Sequence, residues 1–455
     1  MSNEQPLTVA IVGAGPAGYY TAERLLASGR PVEIAMIDRL PTPYGLIRFG
    51  VAPDHQSIKA VYRRYEKTAM RPEVSFFGNV EVGRDVTLDE LLELFDAVVI
   101  SCGAGADRPF EVPGADLKGV IGSAAFVGWY NCHPDFCDLD VDLDIEAAAV
   151  IGHGNVAVDV VRILAKTEEE LAASDINPEA ALRIARSPLR DLYMIGRRGP
   201  HEAKFTPKEL GELGELKRAV PLVDPAQLPP EDSDAALDPG HRKVMEILRA
   251  YAANRPGDKP VRIHILFYAR PVAVLGERRV EGLRLERTRV EADGRAVGTG
   301  EMFDIPCGLV VPCIGYRSTP IAGLPYDPRR GCFVNEDGRI RERIYAAGWA
   351  RRGPTGTIGT NKPDGAEIAD RLLAEVEPGG RPGRAGLRRL LAARHKPVVR
   401  FRDWKRIEAE EERRGGGIRP RVKIARRDEL LAIAGAHPPE EEDDGTRDLR
   451  SSAAE

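Results

Sequence analysis

Gly13, Gly15 and Gly18 stand in the order G-x-G-x-x-G, directly after the apolar run Leu7 to Val12 and before a helical pattern from Tyr19 to Ala27. Each has a mechanical use where a strand turns into a helix. Gly13 permits the tight turn, Gly15 lets an anion approach the backbone, and Gly18 lets helix and strand pack closely. Phosphate is favoured there by the unpaired N–H groups and macrodipole of the helix start. A second apolar run, Val32 to Ile37, ends at Asp38, about where a ribose-binding carboxylate belongs, roughly 20 residues beyond the glycines. Together these residues can hold a dinucleotide by its pyrophosphate and ribose.

The pattern returns in the middle of the chain. Ala147 to Ile151 is followed by Gly152-His153-Gly154-Asn155-Val156-Ala157 and a helical stretch from Val158 to Leu164, with Ala157 in the tolerated third position. The next strand is placed at Leu192 to Ile195, after a longer gap rich in Glu and Ala. It ends in Gly196-Arg197-Arg198-Gly199 rather than in an acid. Two arginines can clamp a 2′-phosphate through charge-assisted hydrogen bonds, whereas a carboxylate would repel it. NADP(H) is therefore expected in preference to NAD(H), the bland alternative being a solvated basic turn. At the first site the long Pro- and Gly-punctuated loop Pro41 to His55 makes FAD the expected occupant, because long ordered loops in α/β folds usually carry function.

Each cradle needs a parallel sheet behind it, so the expected fold class is α/β with two Rossmann-like dinucleotide-binding domains. A chain of 455 residues, 43% hydrophobic, can supply a core for two or three domains. The formal net charge of -5 gives no global drive toward nucleic acid or anionic membrane. No apolar run approaches the roughly 20 residues of a membrane span. Met1 to Pro6 is too short and polar for a signal peptide, so a cytoplasmic location is expected. The six cysteines include no C-x-x-C and no closely spaced quartet, which argues against a redox dithiol, a metal centre or a resident iron-sulfur cluster. Any iron-sulfur partner would be a separate protein. Cys132 and Cys137 receive no functional account. Gly379 to Gly386 reads as a loop, and the acidic end of the chain, 438–455, as disordered.

The chain resembles the adrenodoxin-reductase-like ferredoxin-NADP reductases, especially the actinobacterial members. The resemblance is carried by Val9 to Gly18, Pro41 to His55, Phe76 to Val80, Phe126 to Asn131, Gly152 to Asp159, Ile195 to Pro200, Gly348 to Asn361 and Arg419 to Lys423. It departs at Asp38, where relatives carry Glu, and at Tyr44, where a Trp can occur. The resemblance implies an FAD domain of residues 1–104 and 320–455, with an NADP domain, 105–319, inserted into it. It implies FAD contacts at Ala14, Asp38, Leu46, Val82, Trp349, Gly356, Thr357 and Ile358. It implies NADP contacts at Gly154, Asn155, Val156, Ala157, Arg197, Arg198 and Glu209, with Arg108 a weaker match. His55 and Asp159 would relay protons or position the nicotinamide, which suits a histidine titrating near neutrality and an acid that orients it. The implied reaction moves a hydride from NADPH to the flavin and then single electrons to a ferredoxin-type protein. Arg242, Lys243 and Arg249, on an expected helix, are candidates for docking that acidic partner, with a solvated helix face as the alternative. Other functions that would reuse both sites are a flavin monooxygenase, a quinone diaphorase, or an electron-relay subunit related to the small subunit of glutamate synthase.

Overall fold

The computed structural model describes residues 5–439. The expected disorder of 440–455 lies outside the described residues. Six strands form the first sheet, in the order Arg339–Arg341, Ile344–Ala346, Ala97–Ile100, Leu7–Val12, Val32–Asp38, Val74–Gly78. All neighbours run parallel except the edge hairpin Arg339–Arg341 with Ile344–Ala346. Parallel strands covered on both faces read as continuous apolar runs, and alternate residues divide between two cores. Leu7, Val9 and Ile11 face one, and Ala10 and Val12 the other. The chain leaves Leu7–Val12 toward Val32–Asp38 on one side and reaches Ala97–Ile100 on the other. This order puts a switch point at the carboxyl ends of Leu7–Val12 and Ala97–Ile100, where α/β sheets bind ligands.

A second, wholly parallel sheet has the order Leu309–Pro312, Ala147–Ile151, Asp191–Ile195, Val261–Leu266, Ala219–Val223. Its switch point lies where Ile151 and Pro312 end. An antiparallel layer, Ala269–Leu275, Gly282–Val290 and Ala296–Pro306, shares a core with one face of this sheet.

Two units result: Met1–Ala106, Cys132–Pro134 and Tyr316–Glu455, and Asp107–Asn131 with Asp135–Gly315. The first is assembled from both ends of the chain. Both helices behind the glycine turns begin earlier than their apolar periodicity, at Pro16–Leu26 and Asn155–Ala165. The loop Pro41 to His55 contains a single turn of helix, Leu46–Phe49. The expected loop at Gly379 to Gly386 needs correction, because a helix, Gly383–Ala393, starts inside it. Gly386 is buried there, and a Cβ on it would fall 2.6 Å from both Leu94 Cδ2 and Pro382 Cβ. These glycines serve close packing. No helix among the described residues is long and apolar enough to cross a membrane.

Candidate functional site

The glycines of the first turn divide by role. Gly13 has φ +110°, and a Cβ on it would lie 2.5 Å from the Ser101 carbonyl oxygen, in the strand end across the switch point. A Cβ on Gly18 would lie 2.3 Å from the Gly13 carbonyl oxygen. Neither position has room for a side chain. Gly15, which caps the helix, is different, since a Cβ there meets nothing within 4 Å. Open space beside a helix N-terminus is what a pyrophosphate requires. Asp38 closes the far side: its two carboxylate oxygens accept the N–H of Ala14 at 2.8 Å and of Leu40 at 2.9 Å. Burial raises its pKa, with those two bonds opposing. Each oxygen retains a second acceptor site for a ribose hydroxyl. The Asp side chain thus reaches the turn despite being one methylene shorter than Glu.

The second turn repeats this division. Gly152 has φ +140° and would place a Cβ 2.6 Å from the Cys313 carbonyl oxygen, whereas Gly154 faces open space. Ala157 is fully buried against the strand, and Val156 packs on the same core. Asn155 Oδ1 accepts the N–H of Thr206 at 2.8 Å, fixing the segment that enters the helix Pro207–Glu212 and carries Glu209. The Arg197–Arg198 turn is pinned through its carbonyls, by Thr288 Oγ1 at 2.7 Å and the Tyr268 N–H at 3.1 Å. Arg197 is exposed, and Arg198 Nε is buried with no hydrogen-bond partner. Glu209 Oε2 is likewise buried and unsatisfied. Such orphaned atoms are costly unless a ligand meets them. The residues present therefore fit NADP(H).

A family described as pyridine nucleotide-disulphide oxidoreductase matches residues 7–194. The chain is 39% identical to human mitochondrial NADPH:adrenodoxin oxidoreductase, over 95% of this chain and 93% of that one. It is 40% identical to NADPH-ferredoxin reductase FprA of Mycobacterium tuberculosis, over 94% and 99%. The solved structure of that FprA in complex with NADPH superposes with a TM-score of 0.91 at 39% identity, over 94% of this chain and 100% of that one. The chain is an adrenodoxin-reductase-like ferredoxin-NADP reductase.

In this reductase the first unit gathers most of the expected FAD residues at the start of helix Pro16–Leu26. The Tyr44 N–H donates to the Ala14 carbonyl at 2.8 Å, and a Cβ on Gly45 would come 3.2 Å from Gly15 Cα, so the loop carrying Leu46 lies on the glycine turn. Gly348 abuts Ala17, and Trp349 follows it, its Nε1 donating to the Thr355 carbonyl at 3.0 Å. Gly356, Thr357 and Ile358 precede the helix Asn361–Glu375, where Asn361 Nδ2 donates to the carbonyls of Thr357 at 3.1 Å and Ile358 at 3.3 Å. Val82, in the turn it closes with Val86 beyond strand Val74–Gly78, packs on the core that holds Val12 and Ala350, the neighbours of Gly13 and Trp349. His55 is buried at the start of the short helix Gln56–Lys59.

In the second unit the Arg108 N–H donates to the Gly315 carbonyl at 3.0 Å, just past the switch-point strand. Asp159 Oδ1 accepts from Arg162 Nη2 at 2.8 Å, and Arg162, buried to 2% exposure, also approaches Glu212 Oε2 at 3.2 Å. Sequence reasoning missed Arg162, although an acid and a base three apart on one helix is a readable signal. It also passed over His153, between the two glycines of the fingerprint. Its ring stands 4.6 Å from Phe267 and 5.7 Å from Phe205, with Nε2 3.2 Å from the Met194 carbonyl. Burial pushes its pKa down to about 4, so it is a neutral wedge rather than an anion ligand.

The docking candidates share the helix Pro239–Ala252 but not an environment. Arg249 turns inward, to Asp234 at 2.7 Å and the Pro229 carbonyl at 2.9 Å. Lys243 pairs with Glu246 at 2.7 Å, and Arg242 is exposed. Cys132 is buried with φ +60°, and the adjoining His133 ring lies tilted by 60° against that of Phe49, with 4.8 Å between ring centres. Cys137 is half-buried. Among the described residues no disulfide forms and no side-chain cluster could hold a metal ion.

Proposed function

We propose that this reductase carries electrons between NADPH and a ferredoxin-type iron-sulfur protein through FAD, with FAD held by residues 1–104 and 320–455 and NADP(H) by 105–319. The observation that carries the reading is a pair of cradles in one chain, Gly15 and Gly154, each open where a Cβ would stand, with an acid after the first and two arginines after the second. The names of the two relatives, an NADPH:adrenodoxin oxidoreductase and an NADPH-ferredoxin reductase, support the partner class. When bound, the nicotinamide supplies a hydride and the flavin converts that pair into single electrons. The protein contributes positioning.

The N–H groups of Gly15 and Ala17 hold one pyrophosphate, since Pro16 has none and that of Ala14 is taken by Asp38, and Asp38 holds the ribose. Leu46, Val82, Trp349 and Gly356 to Ile358 shape the flavin site. Gly154 to Ala157 hold the second pyrophosphate, Arg197 and Arg198 clamp the 2′-phosphate with Arg108 near the chain's return, and Glu209 orients the nucleotide. His55 and Asp159 carry or orient a proton, with Arg162 fixing the carboxylate. Arg242 supplies the exposed docking charge, while Arg249 is a structural residue. The location is cytoplasmic.

Anaerobic titration of the purified yellow protein with NADPH should bleach the flavin absorbance near stoichiometrically, and NADH should require far higher concentrations. Adding a ferredoxin with cytochrome c as final acceptor should then accelerate NADPH oxidation strongly. Equal turnover without ferredoxin would replace this reading with a diaphorase. Insensitivity of ferredoxin turnover to both salt and Arg242→Glu would remove the docking assignment.

A further inference from the structure

The flavin loop is anchored from a part of the chain that neither nucleotide motif includes. Arg48 lies two residues beyond Leu46 in the single helical turn Leu46–Phe49. Its guanidinium forms a forked pair with Glu411, Nη1 to Oε2 at 2.8 Å and Nη2 to Oε1. The two side chains are 4% and 0% exposed. The guanidinium carbon lies 5.1 Å from the Phe49 ring centre and 5.0 Å from that of Trp404. Lys423 Nζ donates to the Arg48 carbonyl at 3.1 Å, and the Ile424 N–H donates to Glu411 Oε1 at 2.9 Å. Glu411 belongs to the helix Phe401–Gly415, so the C-terminal segment grips the loop by both its side chain and its backbone.

One helical turn has almost no stability of its own, so external anchors set its direction. At the front the Tyr44 N–H on Ala14 ties it to the glycine turn. At the back the anchor is Arg48. Replacing a buried ion pair by uncharged side chains of similar volume is often neutral for stability, provided the Ile424 N–H keeps its acceptor. What a forked ion pair adds is a fixed angle. We infer that Glu411, acting through Arg48, is a positioning residue for the flavin loop, so that the C-terminal segment sets how tightly FAD is retained. The inference rests on the proposed assignment of FAD to the first unit and goes beyond the residues expected to touch it.

Three variants test it: Arg48→Lys, which keeps the charge and loses the fork; Glu411→Gln, which keeps the shape and loses the charge; and the double variant Arg48→Met with Glu411→Gln, which keeps the packing and an acceptor for the Ile424 N–H and loses the angle. The readouts are the rate of FAD release, followed by the rise of flavin fluorescence after dilution, and the urea midpoint of the FAD-free protein. Release is expected to quicken at least tenfold in all three, while the double variant keeps the wild-type urea midpoint. A double variant that folds normally and releases FAD at the wild-type rate overturns the inference, because the pair is then packing alone. Should a single variant fail to fold, the double variant still decides. Wild-type protein that neither retains nor accepts FAD overturns the assignment itself, and the inference with it.

Discussion

Gly154→Ala separates binding from folding in the second unit. Gly154 caps the helix Asn155–Ala165 with φ -117°, an extended conformation open to any residue, and a Cβ there would meet nothing within 4 Å. Two small effects on stability oppose each other. Alanine loses less chain entropy on folding, about 0.4–1 kcal/mol in its favour, and it is a poorer helix cap than glycine by a similar amount. The net change should lie within about 0.5 kcal/mol, or roughly 2 °C in Tm for a domain of this size. Binding is another matter, because the new methyl occupies the space through which a phosphate must approach the helix N–H groups. Losing one or two charge-assisted hydrogen bonds at about 1.5–3 kcal/mol each weakens NADP⁺ by roughly 10- to 10⁴-fold. Calorimetric titration of the holoprotein with NADP⁺ measures this, alongside a thermal melt and the visible spectrum that reports the untouched first site. An unchanged Kd would refute the cradle. A Tm lowered by more than about 5 °C would refute the open space beside it.

Arg197→Ala and Arg198→Ala should each weaken NADPH by about 10- to 100-fold while leaving NADH nearly unchanged, as compared by kcat/KM; equal losses for both cofactors would remove the 2′-phosphate clamp. Gly18→Ala, by contrast with Gly154→Ala, forces a Cβ to 2.3 Å from the Gly13 carbonyl oxygen, and should cost both FAD content and melting temperature. His153 gives a pH signature. Burial holds its folded pKa at about 4, below the ordinary value near 6.5. Unfolding therefore takes up a proton as pH falls, and the stability this group contributes at neutral pH is lost between about 6.5 and 4. The loss from pH 7 to pH 5 is on the order of 2 kcal/mol. Urea unfolding at the two pH values should show it in the wild type and lose it in His153→Gln, which keeps an N–H for the Met194 carbonyl.

Much of the cradle architecture was legible because it is local. Leu7–Val12 and Ala147–Ile151 are the strands their apolar runs indicate, and each glycine turn follows directly. Helix starts were misplaced by a few residues because periodicity begins only after the capping turn, whose first helical residues here are Pro16 and Asn155. The Gly379 to Gly386 segment misled for a different reason: composition reports backbone freedom but not the neighbour, here Leu94, that requires a missing side chain. Least legible was the support behind the sites. Arg48 and Glu411 are 363 residues apart, and no local pattern joins them. The orphaned atoms of Arg198 and Glu209 likewise become informative only once burial is known.

The first sheet takes Ile344–Ala346 from beyond the inserted unit, with Ile344 paired to Val98. On a ribosome adding about 5–20 residues per second, the strand Ala97–Ile100 waits some 10–50 s for that neighbour. Throughout the interval it presents a bare, wholly apolar edge, while the inserted unit has all its sheet strands once Pro312 emerges. The nascent chain is therefore most exposed to wrong pairing at Ala97–Ile100, and that is the segment a chaperone would have to cover.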